Sequence, residues 1–492
     1  MLFNSFEFLL FFPVVTILYF LLPHRFRWFH LLAASCFFYM FFKPVYILIL
    51  FFTIVIDYYA GILIENSETK KKKKFYLLWS LVANIGVLAI FKYYNFFNDN
   101  ITSLSEALGY QNHIPYLTIL LPIGLSFHTF QAMSYTIEVY RGNHKAERHF
   151  GIYALYVMFY PQLVAGPIER PQNVLHQFHE KHYFDYDRVT SGLKLMAWGL
   201  FKKVVIADRL AVMVNEVYNN PTHFEGIPLI LATVFFAIQI YCDFSGYSDI
   251  AIGSAQVMGF TLMRNFNRPY FSKNIKEFWG RWHISLSTWF RDYLYIPLGG
   301  NRVPKWRWYY NIFIVFLVSG FWHGANWTYI IWGALHGFYQ VFGQITGKSR
   351  DRMVEALGLK KLPSLYKLIQ IGTTFVLVCF AWVFFRANSV SDAWYIISHM
   401  FTGFSESVNL IAHNGFVRQR YLFLDQTKEI FLLSFVVISI LIVIELFQRN
   451  RSLRLEVKKY PFPMRLVFYN IIILSILLLG SFSEAEFIYF QF

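Results

Sequence analysis

The sequence predicts an all-helical integral membrane protein, and three observations support that prediction. Of the 492 residues, 56% are hydrophobic and only 15% are charged, whereas a typical soluble domain carries about 25% charged residues. Apolar runs recur along the whole chain, and a bilayer crossing needs about 17 to 25 such residues. Lysine and arginine residues lie in the short loops between these runs, as the positive-inside rule predicts.

Composition also argues against several functional classes. The net charge of +15 does not indicate nucleic-acid binding, because the basic loops of a membrane protein account for it. Three cysteines, Cys36, Cys242 and Cys379, lie in or beside apolar runs without the spacing of metal ligands or redox pairs, and we interpret them as small core residues. The first apolar run begins at once, which predicts a first membrane span rather than a cleaved signal peptide.

Apolar runs and loop charges together predict about 12 crossings. Two shorter or amphipathic segments, 151–165 and 277–298, are predicted to be re-entrant helices. The predicted crossings cover residues 6–22, 28–42, 45–64, 75–97, 117–140, 193–210, 228–260, a two-helix hairpin over 309–343, 368–385, 430–447 and 466–482.

Loop charges assign the two sides of the membrane. The lysine run 70–74 and the basic segment 449–465 are expected in the cytoplasm, whereas the loop 98–116 has no lysine or arginine and is expected outside. This parity places both termini outside an inner membrane. The chain is expected to form a single transmembrane domain over 1–492, and its aromatic C-terminal tail, 484–492, is expected on the outer side.

A histidine interrupts the predicted hairpin. The polar sequence Trp322-His323-Gly324-Ala325-Asn326-Trp327 separates two apolar runs. An ionisable group at membrane depth costs a few kcal/mol unless it faces protein or a water-filled cavity. His323 is therefore a candidate general base, and the alternative is a histidine that hydrogen-bonds between helices for packing. Asn326 is a candidate to orient it or to bind a carbonyl oxygen. The pairs Gly320/Gly324 and Gly333/Gly337 predict close backbone packing nearby.

A second histidine, His283, lies in the predicted amphipathic segment. On a helix, Trp279, His283 and Ser287 would share one face. His283 is a candidate polar group at the cytoplasmic mouth of the same cavity, with Arg281 near the phosphate of an acyl donor. The alternative is an interfacial helix with an aromatic belt and snorkelling arginines, and the residues alone favour that alternative.

Two carboxylates and a terminal tyrosine complete the candidates. Asp243 and Asp249 fall within the predicted membrane segment 228–260 and need partners there. The polar stretch 243–249 is expected to break the helix of this segment. Ion binding is one interpretation, and pairing with Arg264, Arg268 or Arg281 is the favoured one. Tyr489 is either an aromatic anchor at the interface or an acyl-carrying residue, because a phenolic hydroxyl can hold an ester. The sequence shows no zinc-ligand spacing and no glycine-rich phosphate loop.

Together these segments resemble the membrane-bound O-acyltransferase (MBOAT) family, in particular its bacterial branch typified by alginate O-acetyltransferase. Gly280 departs from the pattern, since relatives often carry a basic residue there. The matching motifs, which span nearly the whole chain, are Met1-Leu2-Phe3-Asn4-Ser5, Gly166-Pro167-Ile168, Tyr241-Cys242-Asp243-Phe244-Ser245-Gly246-Tyr247-Ser248-Asp249, Phe278-Trp279-Gly280-Arg281-Trp282-His283, Arg291-Asp292-Tyr293-Leu294-Tyr295, Phe321-Trp322-His323-Gly324-Ala325-Asn326-Trp327 and Phe487-Ile488-Tyr489-Phe490-Gln491-Phe492.

The resemblance implies a ring of helices around a funnel, with His323 as the catalytic histidine and His283 at the second motif position. Members of this branch take an acyl group from a cytoplasmic thioester, such as acetyl-CoA, and deliver it outside. There an SGNH-hydrolase-like partner completes O-acetylation of a cell-surface polysaccharide. Tyr489, in a Phe-x-Tyr-x-x-Phe tail, is expected to relay the acyl group. No permanently bound cofactor or metal is expected, and Trp322 and Trp327 are expected to wall a dry pocket.

The expected function is therefore O-acetylation of an extracytoplasmic polysaccharide, which could be alginate-like, another exopolysaccharide or peptidoglycan. The alternative enzyme is a D-alanyl transferase for teichoic acid. A third hypothesis is an acyl-group or polysaccharide transporter without chemistry of its own, in which Asp243 and Asp249 bind coupling ions. A structural scaffold for polymer export is a fourth.

Overall fold

The computed structural model describes residues 1–118, 122–164, 166–404, 421–449, 453–482 and 487–490, and every regular element in these ranges is a helix. The predicted all-helical fold class is confirmed. The chain forms two compact units, one of Met1–Met196 with Tyr247–Arg264 and the other of Ala197–Gly246 with Asn265–Phe492. The single domain over 1–492 stays a prediction.

Helices of the first unit include a run of long apolar segments. Ser5 caps the first of them, since its Oγ accepts the Phe8 N–H at 3.3 Å. The helices are Phe6–Leu21, His24–Met40, Ile47–Asn66, Lys70–Leu88, Tyr94–Ala107, Leu125–Arg141, Phe150–Met158, Tyr160–Leu163, Pro171–Val174 and Tyr186–Leu200, with 3-10 turns at Pro44–Tyr46 and Leu175–His179 and a π-helical segment at Ala89–Tyr93.

A buried carboxyl group links helices of the first unit. Asp57 is fully buried and accepts hydrogen bonds from Ser80 Oγ at 2.5 Å and from Asn84 Nδ2 at 2.9 Å. A buried polar group is tolerated when its partners satisfy it. The motifs of the sequence assign no role to Asp57, although a lone carboxylate in an apolar run is itself a signal that such partners exist.

The second unit contains the candidate site residues except Asp249. Its helices are Asp208–Asn219, the part of Ile227–Met258 up to Gly246, Ile275–Trp279, Ile284–Phe290, Lys305–His323, Trp327–Ile345, Gly347–Ala356, Pro363–Arg386, Val390–His399, Lys428–Phe447, Leu453–Lys458 and Phe462–Leu479, with π-helical segments at Phe201–Ala207 and Arg291–Tyr295 and 3-10 turns at Pro221–His223, Pro269–Phe271, Leu359–Lys361 and Ile488–Phe490.

Six helices in the described ranges are long and apolar enough to cross a membrane, and Phe6–Leu21 is a shorter apolar helix. The chain is therefore a multi-pass membrane protein, while the predicted count of about 12 crossings is not confirmed. The six are Pro44–Asn66, Lys70–Ala107, Ile227–Met258, Pro363–Arg386, Lys428–Phe447 and Phe462–Leu479.

Two predictions about helix continuity are wrong. The segment 277–298 is not one amphipathic helix, because the chain breaks after Trp279 and His283 adopts a left-handed backbone with φ of 41°. A non-glycine residue in that region carries local strain. Conversely, the polar stretch from Asp243 to Asp249 does not interrupt its helix, since Ile227–Met258 is continuous. A partner for Asp243 explains why the helix survives, and it is described below.

Candidate active site

Helices Lys305–His323 and Trp327–Ile345 form the predicted hairpin and touch through glycines. A Cβ atom on Gly320 would lie 2.3 Å from the Tyr329 carbonyl oxygen, and one on Gly333 would lie 2.4 Å from the Phe316 carbonyl oxygen. No side chain fits at such distances, so the predicted close backbone packing is confirmed at this pair. The contact holds His323 in place at the end of the first helix.

His323 lies in an aromatic enclosure. It is the last residue of its helix and is only 4% exposed. Its ring centroid is 4.9 Å from that of Trp322, 5.0 Å from that of Trp332 and 5.4 Å from that of Phe385. Hydrogen bonds made within such a low-dielectric enclosure are stronger than in water.

The described part of the aromatic tail, residues 487–490, packs against this enclosure. Phe487 and Ile488 are buried, and the Tyr489 hydroxyl oxygen is buried as well. The Tyr489 ring centroid lies 5.7 Å from that of His323 and 4.3 Å from that of Phe244. Tyr489 is thus a close neighbour of the candidate base.

His283 approaches the same tyrosine from another element. It is fully buried, and its ring centroid lies 6.3 Å from that of Tyr489 and 4.6 Å from that of Phe244. Its Nδ1 lies 3.1 Å from Asn265 Oδ1, which also accepts the Ser285 hydroxyl at 2.9 Å. The left-handed backbone at His283 therefore turns the imidazole inward, toward the tyrosine.

The observed positions of His283, His323 and Tyr489 differ from the arrangement expected for acyl transfer across the membrane. The sequence placed His283 at a cytoplasmic mouth and Tyr489 on the outer side, as two ends of a path through His323. The structure instead brings the three rings together, with Tyr489 next to both histidines. The expectation of separate ends is wrong, because the tail folds back onto the unit rather than extending away from it. We call this group of three side chains the tyrosine–histidine centre.

A buried ion cluster holds the backbone of the tail. Asp243 Oδ2 accepts the Ile488 N–H at 2.7 Å. Asp243 Oδ1 lies 2.6 Å from Lys203 Nζ, which also lies 2.7 Å from Asp208 Oδ1. All three charged side chains are at most 3% exposed. Removing one member of such a buried cluster costs about 3–5 kcal/mol, because a charge is left without its counterion.

The predicted arginine partners of Asp243 are therefore wrong. Arg281 pairs with Glu277 at 2.5 Å, and Arg268 donates to the carbonyl oxygen of Glu445 at 3.4 Å. The counterion is Lys203, whose position inside an apolar run already indicated a buried charge in need of a partner. Asp249 belongs to the first unit and is half-buried, so its predicted role remains a prediction.

Asn326 and Trp327 occupy other positions than expected. The Asn326 side chain caps the second helix of the hairpin, since its Oδ1 accepts the Thr328 N–H at 3.0 Å, and its Nδ2 donates to the Asn388 carbonyl at 3.4 Å. Trp327 is 53% exposed. An exposed indole does not wall a dry pocket, so that expectation is wrong for Trp327, whereas Trp322 is buried against His323.

Two residues that the sequence interpretation left without a role line the enclosure. Trp332 and His336 are fully buried, one helical turn apart, with ring centroids 5.1 Å apart. Trp279 Nε1 donates to His336 Nδ1 at 3.2 Å. An indole N–H only donates, so a neutral His336 carries its proton on Nε2. The i, i+4 spacing of an aromatic and a histidine on one face was the available signal.

The centre combines a nucleophile, two imidazoles and an aromatic enclosure. Acyl transfer needs a base, a nucleophilic hydroxyl and a donor for the developing oxyanion. Within the described ranges, no group of three or more histidine, cysteine, aspartate or glutamate residues could hold a metal ion. The side chains of the centre itself, a phenol and two imidazoles, are groups of acid–base and nucleophilic chemistry.

The fold and the centre define a class, a multi-pass membrane protein with buried ionisable groups, and comparison with known proteins names the family. The profile described as "MBOAT, membrane-bound O-acyltransferase family" matches residues 147–387, a range that contains both His283 and His323. A relative from Azotobacter vinelandii, named "Probable alginate O-acetylase AlgI", is 38% identical over 408 residues, 82% of this chain and 78% of the relative. The chain belongs to the membrane-bound O-acyltransferase family.

Two further relatives are similar over shorter regions. "Probable alginate O-acetylase AlgI" of Pseudomonas aeruginosa is 42% identical over 330 residues, 66% of this chain. The "Peptidoglycan O-acetyltransferase" of Helicobacter pylori is 37% identical over 355 residues, also 66% of this chain. The matched region spans 60% of the length of the Pseudomonas relative and 64% of the Helicobacter relative.

Proposed function

We propose that this chain is an O-acetyltransferase that moves an acetyl group from a cytoplasmic thioester across the inner membrane for O-acetylation of an extracytoplasmic polysaccharide. The main support for this proposal is the position of Tyr489, whose ring centroid lies 5.7 Å from that of His323 and 6.3 Å from that of His283. A tyrosine used only as an interfacial anchor has no need of two buried imidazoles and a buried hydroxyl.

The names of the relatives support an acetyl group rather than another acyl group. Two of them are named alginate O-acetylases and a third a peptidoglycan O-acetyltransferase, at 37–42% identity. The acceptors in those names are both extracytoplasmic polysaccharides, so the substrate proposed here is a polymer of that class.

His323 acts as the general base in the first transfer. It takes the proton of the Tyr489 hydroxyl as the phenolic oxygen attacks the carbonyl carbon of the thioester. The new carbon–oxygen bond forms, the carbon–sulfur bond breaks, and the imidazolium returns the proton to the leaving thiolate. Imidazole suits both steps because its pKa in water lies near neutrality. The product is an acetyl ester on Tyr489 and a free thiol, such as coenzyme A.

Trp332 supplies a donor for the tetrahedral intermediate. Its Nε1–H is buried and has no hydrogen-bond partner among the described residues, and its ring centroid lies 5.0 Å from that of His323. Leaving a buried donor unsatisfied costs about 1–3 kcal/mol. Such a donor next to the base is ready for an oxyanion that exists only during the reaction. It takes the role expected of Asn326, which caps a helix instead.

His283 is the second base, and Asn265 sets its tautomer. The amide oxygen of Asn265 accepts from Ser285, so it also accepts from His283 Nδ1–H, 3.1 Å away. A neutral His283 then keeps its lone pair on Nε2. We assign this atom to the second transfer, in which the acceptor hydroxyl attacks the tyrosyl ester.

Delivery takes place on the outer side of the inner membrane. Because 449–465 is basic and expected inside, the last helix, Phe462–Leu479, carries the chain outward to the tail. Both termini are then outside. An SGNH-hydrolase-like partner takes the acetyl group there and transfers it to the polysaccharide. No resident cofactor is needed, since acetyl-CoA or another acyl thioester enters as a substrate.

Labelled donor tests this function. Membranes that contain the full chain are given a cytoplasmic-side thioester with a labelled acetyl group, and label is followed into chain and polymer. Wild type is expected to label both, whereas His323→Ala, at equal protein level, labels neither. His223→Ala is the control, because His223 is an exposed histidine in a 3-10 turn far along the chain from the centre.

Each rival gives a different outcome in that experiment. Undiminished acetylation by the His323→Ala variant would contradict the proposed function. Transport of an acyl group without any label on the chain would indicate a transporter. Preferential labelling from a D-alanyl thioester would point to a D-alanyl transferase instead.

A further inference from the structure

The end of the chain is held by one segment, residues 201–209, which we call the anchor segment. The backbone N–H of Ser481 donates to the Val204 carbonyl oxygen at 2.8 Å. The Arg209 guanidinium donates to the Leu479 carbonyl oxygen at 2.5 Å. Most of the segment, Phe201–Ala207, is π-helical, a conformation found frequently at functional sites. The last helix therefore ends on the anchor segment.

The tail itself is held by two successive residues of helix Ile227–Met258. Asp243 accepts the Ile488 N–H at 2.7 Å. Phe244 packs on the next tail residue, Tyr489, and on Phe487, with ring centroids 4.3 Å and 5.7 Å apart. The Asp243 hydrogen bond holds the backbone of the tail, whereas Phe244 contacts two of its side chains.

Lys203 of the anchor segment joins these two sets of contacts. Its ammonium lies between Asp208 and Asp243, at 2.7 Å and 2.6 Å. A glycine permits the close approach, since a Cβ atom on Gly246 would lie 2.7 Å from the Gly199 carbonyl oxygen and 3.3 Å from Lys203 N. A carboxylate makes a hydrogen bond roughly twice as strong as a neutral acceptor does, and Lys203 Nζ, 2.6 Å from Asp243 Oδ1, is the counterion of this group.

We propose that Lys203 and Asp243 form an internal binding site for an aromatic peptide, and that this site sets the register that places Tyr489 against His323. Its ligand is the C-terminal tail of the same chain. Lys203 and Asp243 are positioning residues, because they act through the tail and do not touch the thioester. This inference deepens the proposed function and rests on it for its catalytic consequence.

Register matters because the tail holds one tyrosine among three phenylalanines, Phe487, Phe490 and Phe492. Phe487, Tyr489 and Phe490 are similar in size, so hydrophobic packing alone would accept a tail shifted along its length. A backbone hydrogen bond to Ile488 places the following residue, Tyr489, beside both Phe244 and His323. A shifted tail would present a phenylalanine, which has no hydroxyl to acylate.

Tail docking can be measured without an acyl-transfer assay. The full chain in detergent is treated with carboxypeptidase A, which removes aromatic residues from a C-terminus, and release of phenylalanine and tyrosine is timed. A docked tail is protected, so cleavage follows the undocked population. Lys203→Met and Asp243→Ala are expected to release tyrosine about tenfold faster or more, the order expected for loss of one charge-assisted hydrogen bond.

Lys202→Met is the matched control. Lys202 is a buried lysine on the same π-helical segment, and its Nζ donates to Ser245 Oγ at 2.8 Å. Its replacement is expected to leave tail protection at the wild-type level. Equal release from Lys202→Met and Lys203→Met would overturn the proposal, because the effect would then come from a damaged segment.

A milder variant keeps the test decisive if Lys203→Met does not fold. Asp243→Asn retains an oxygen acceptor for Ile488 and leaves Lys203 paired with Asp208. Release of tyrosine is expected to fall between that of the wild type and that of Asp243→Ala. Wild-type protection in both Asp243 variants would contradict the proposed site.

Kinetics separate positioning from general damage. The variants are expected to lower kcat for chain acetylation on the order of 100-fold, as a displacement of about 1 Å does, with KM for the thioester unchanged. A raised KM with unchanged kcat would overturn the positioning role. If the tail of the wild-type protein resists carboxypeptidase but the chain never carries labelled acetyl groups, the proposed tail-binding site is supported and the proposed function is contradicted.

Discussion

At the scale of single residues, the proposed mechanism depends on which polar side-chain atoms are available to hydrogen-bond to the substrate. The Asn326 side chain caps a helix, and Arg281 forms an ion pair with Glu277. Trp332 Nε1 is buried without a partner in the described part of the chain. The proposed oxyanion donor is therefore the Trp332 indole rather than the Asn326 amide.

The Trp332 donor can be removed with little change in shape. Trp332→Phe keeps an aromatic ring beside His323 but lacks the N–H, so kcat for chain acetylation should fall roughly 100- to 1,000-fold, as for loss of one oxyanion donor. Trp382→Phe is the control, because Trp382 is equally buried and stacks on Trp332 at 5.8 Å. Equal losses of kcat in the two variants would show that cavity formation, and not the donor, is responsible.

Some site residues could be predicted from sequence and others could not. His323, His283 and Tyr489 stood out because each is an ionisable or polar group in an apolar or aromatic motif. Lys203 stood out only as a charge inside an apolar run and Asn265 not at all, because their roles depend on partners 40 and 18 residues away along the chain. Sequence spacing carries no information about such long-range pairs until the helices are placed.

At the scale of elements, the hairpin of Lys305–His323 and Trp327–Ile345 positions the base. Its close packing was predictable, because glycines four residues apart allow helix backbones to touch. The break at His283 was not predictable from helical periodicity. A left-handed residue inside an amphipathic pattern is favoured only by tertiary contacts, here those of His283 with Asn265 and Phe244.

The glycine contact gives a direct test of the hairpin. Gly320→Ala should destabilise the protein by about 1–3 kcal/mol, because the added methyl group overlaps the Tyr329 carbonyl and forces the helices apart. Thermal unfolding in detergent measures the change. Gly372→Ala is the control, since Gly372 is helical with open space around it, and it should be neutral or slightly stabilising. Equal destabilisation would contradict the packing described here.

At the scale of the whole molecule, hydropathy predicted the class but not the number of crossings. Six helices meet the length and apolarity of a span. The apolar segment 151–165, predicted to be re-entrant, forms two short helices, Phe150–Met158 and Tyr160–Leu163, whose side chains are buried. Burial inside protein and burial in lipid leave the same apolar signature in a sequence, so composition cannot separate them.

Loop charge predicts which side of the membrane each loop faces. In a variant whose three native cysteines are replaced by alanine, Lys72→Cys should react with an impermeant thiol reagent only after the cells are permeabilised. Tyr110→Cys should react in intact cells, because its loop lacks lysine and arginine. Both positions are exposed. The opposite pattern would reverse the predicted orientation and place the tail in the cytoplasm.

The most direct measurement asks which residue carries the acetyl group. The full chain in membranes is incubated with an isotope-labelled acetyl thioester, digested and analysed by mass spectrometry, and polymer acetylation is measured in parallel. The account predicts label as an ester on Tyr489, lost together with polymer acetylation in Tyr489→Phe, which keeps the ring contacts and removes only the hydroxyl. Label on another residue, or undiminished polymer acetylation by Tyr489→Phe, would contradict it.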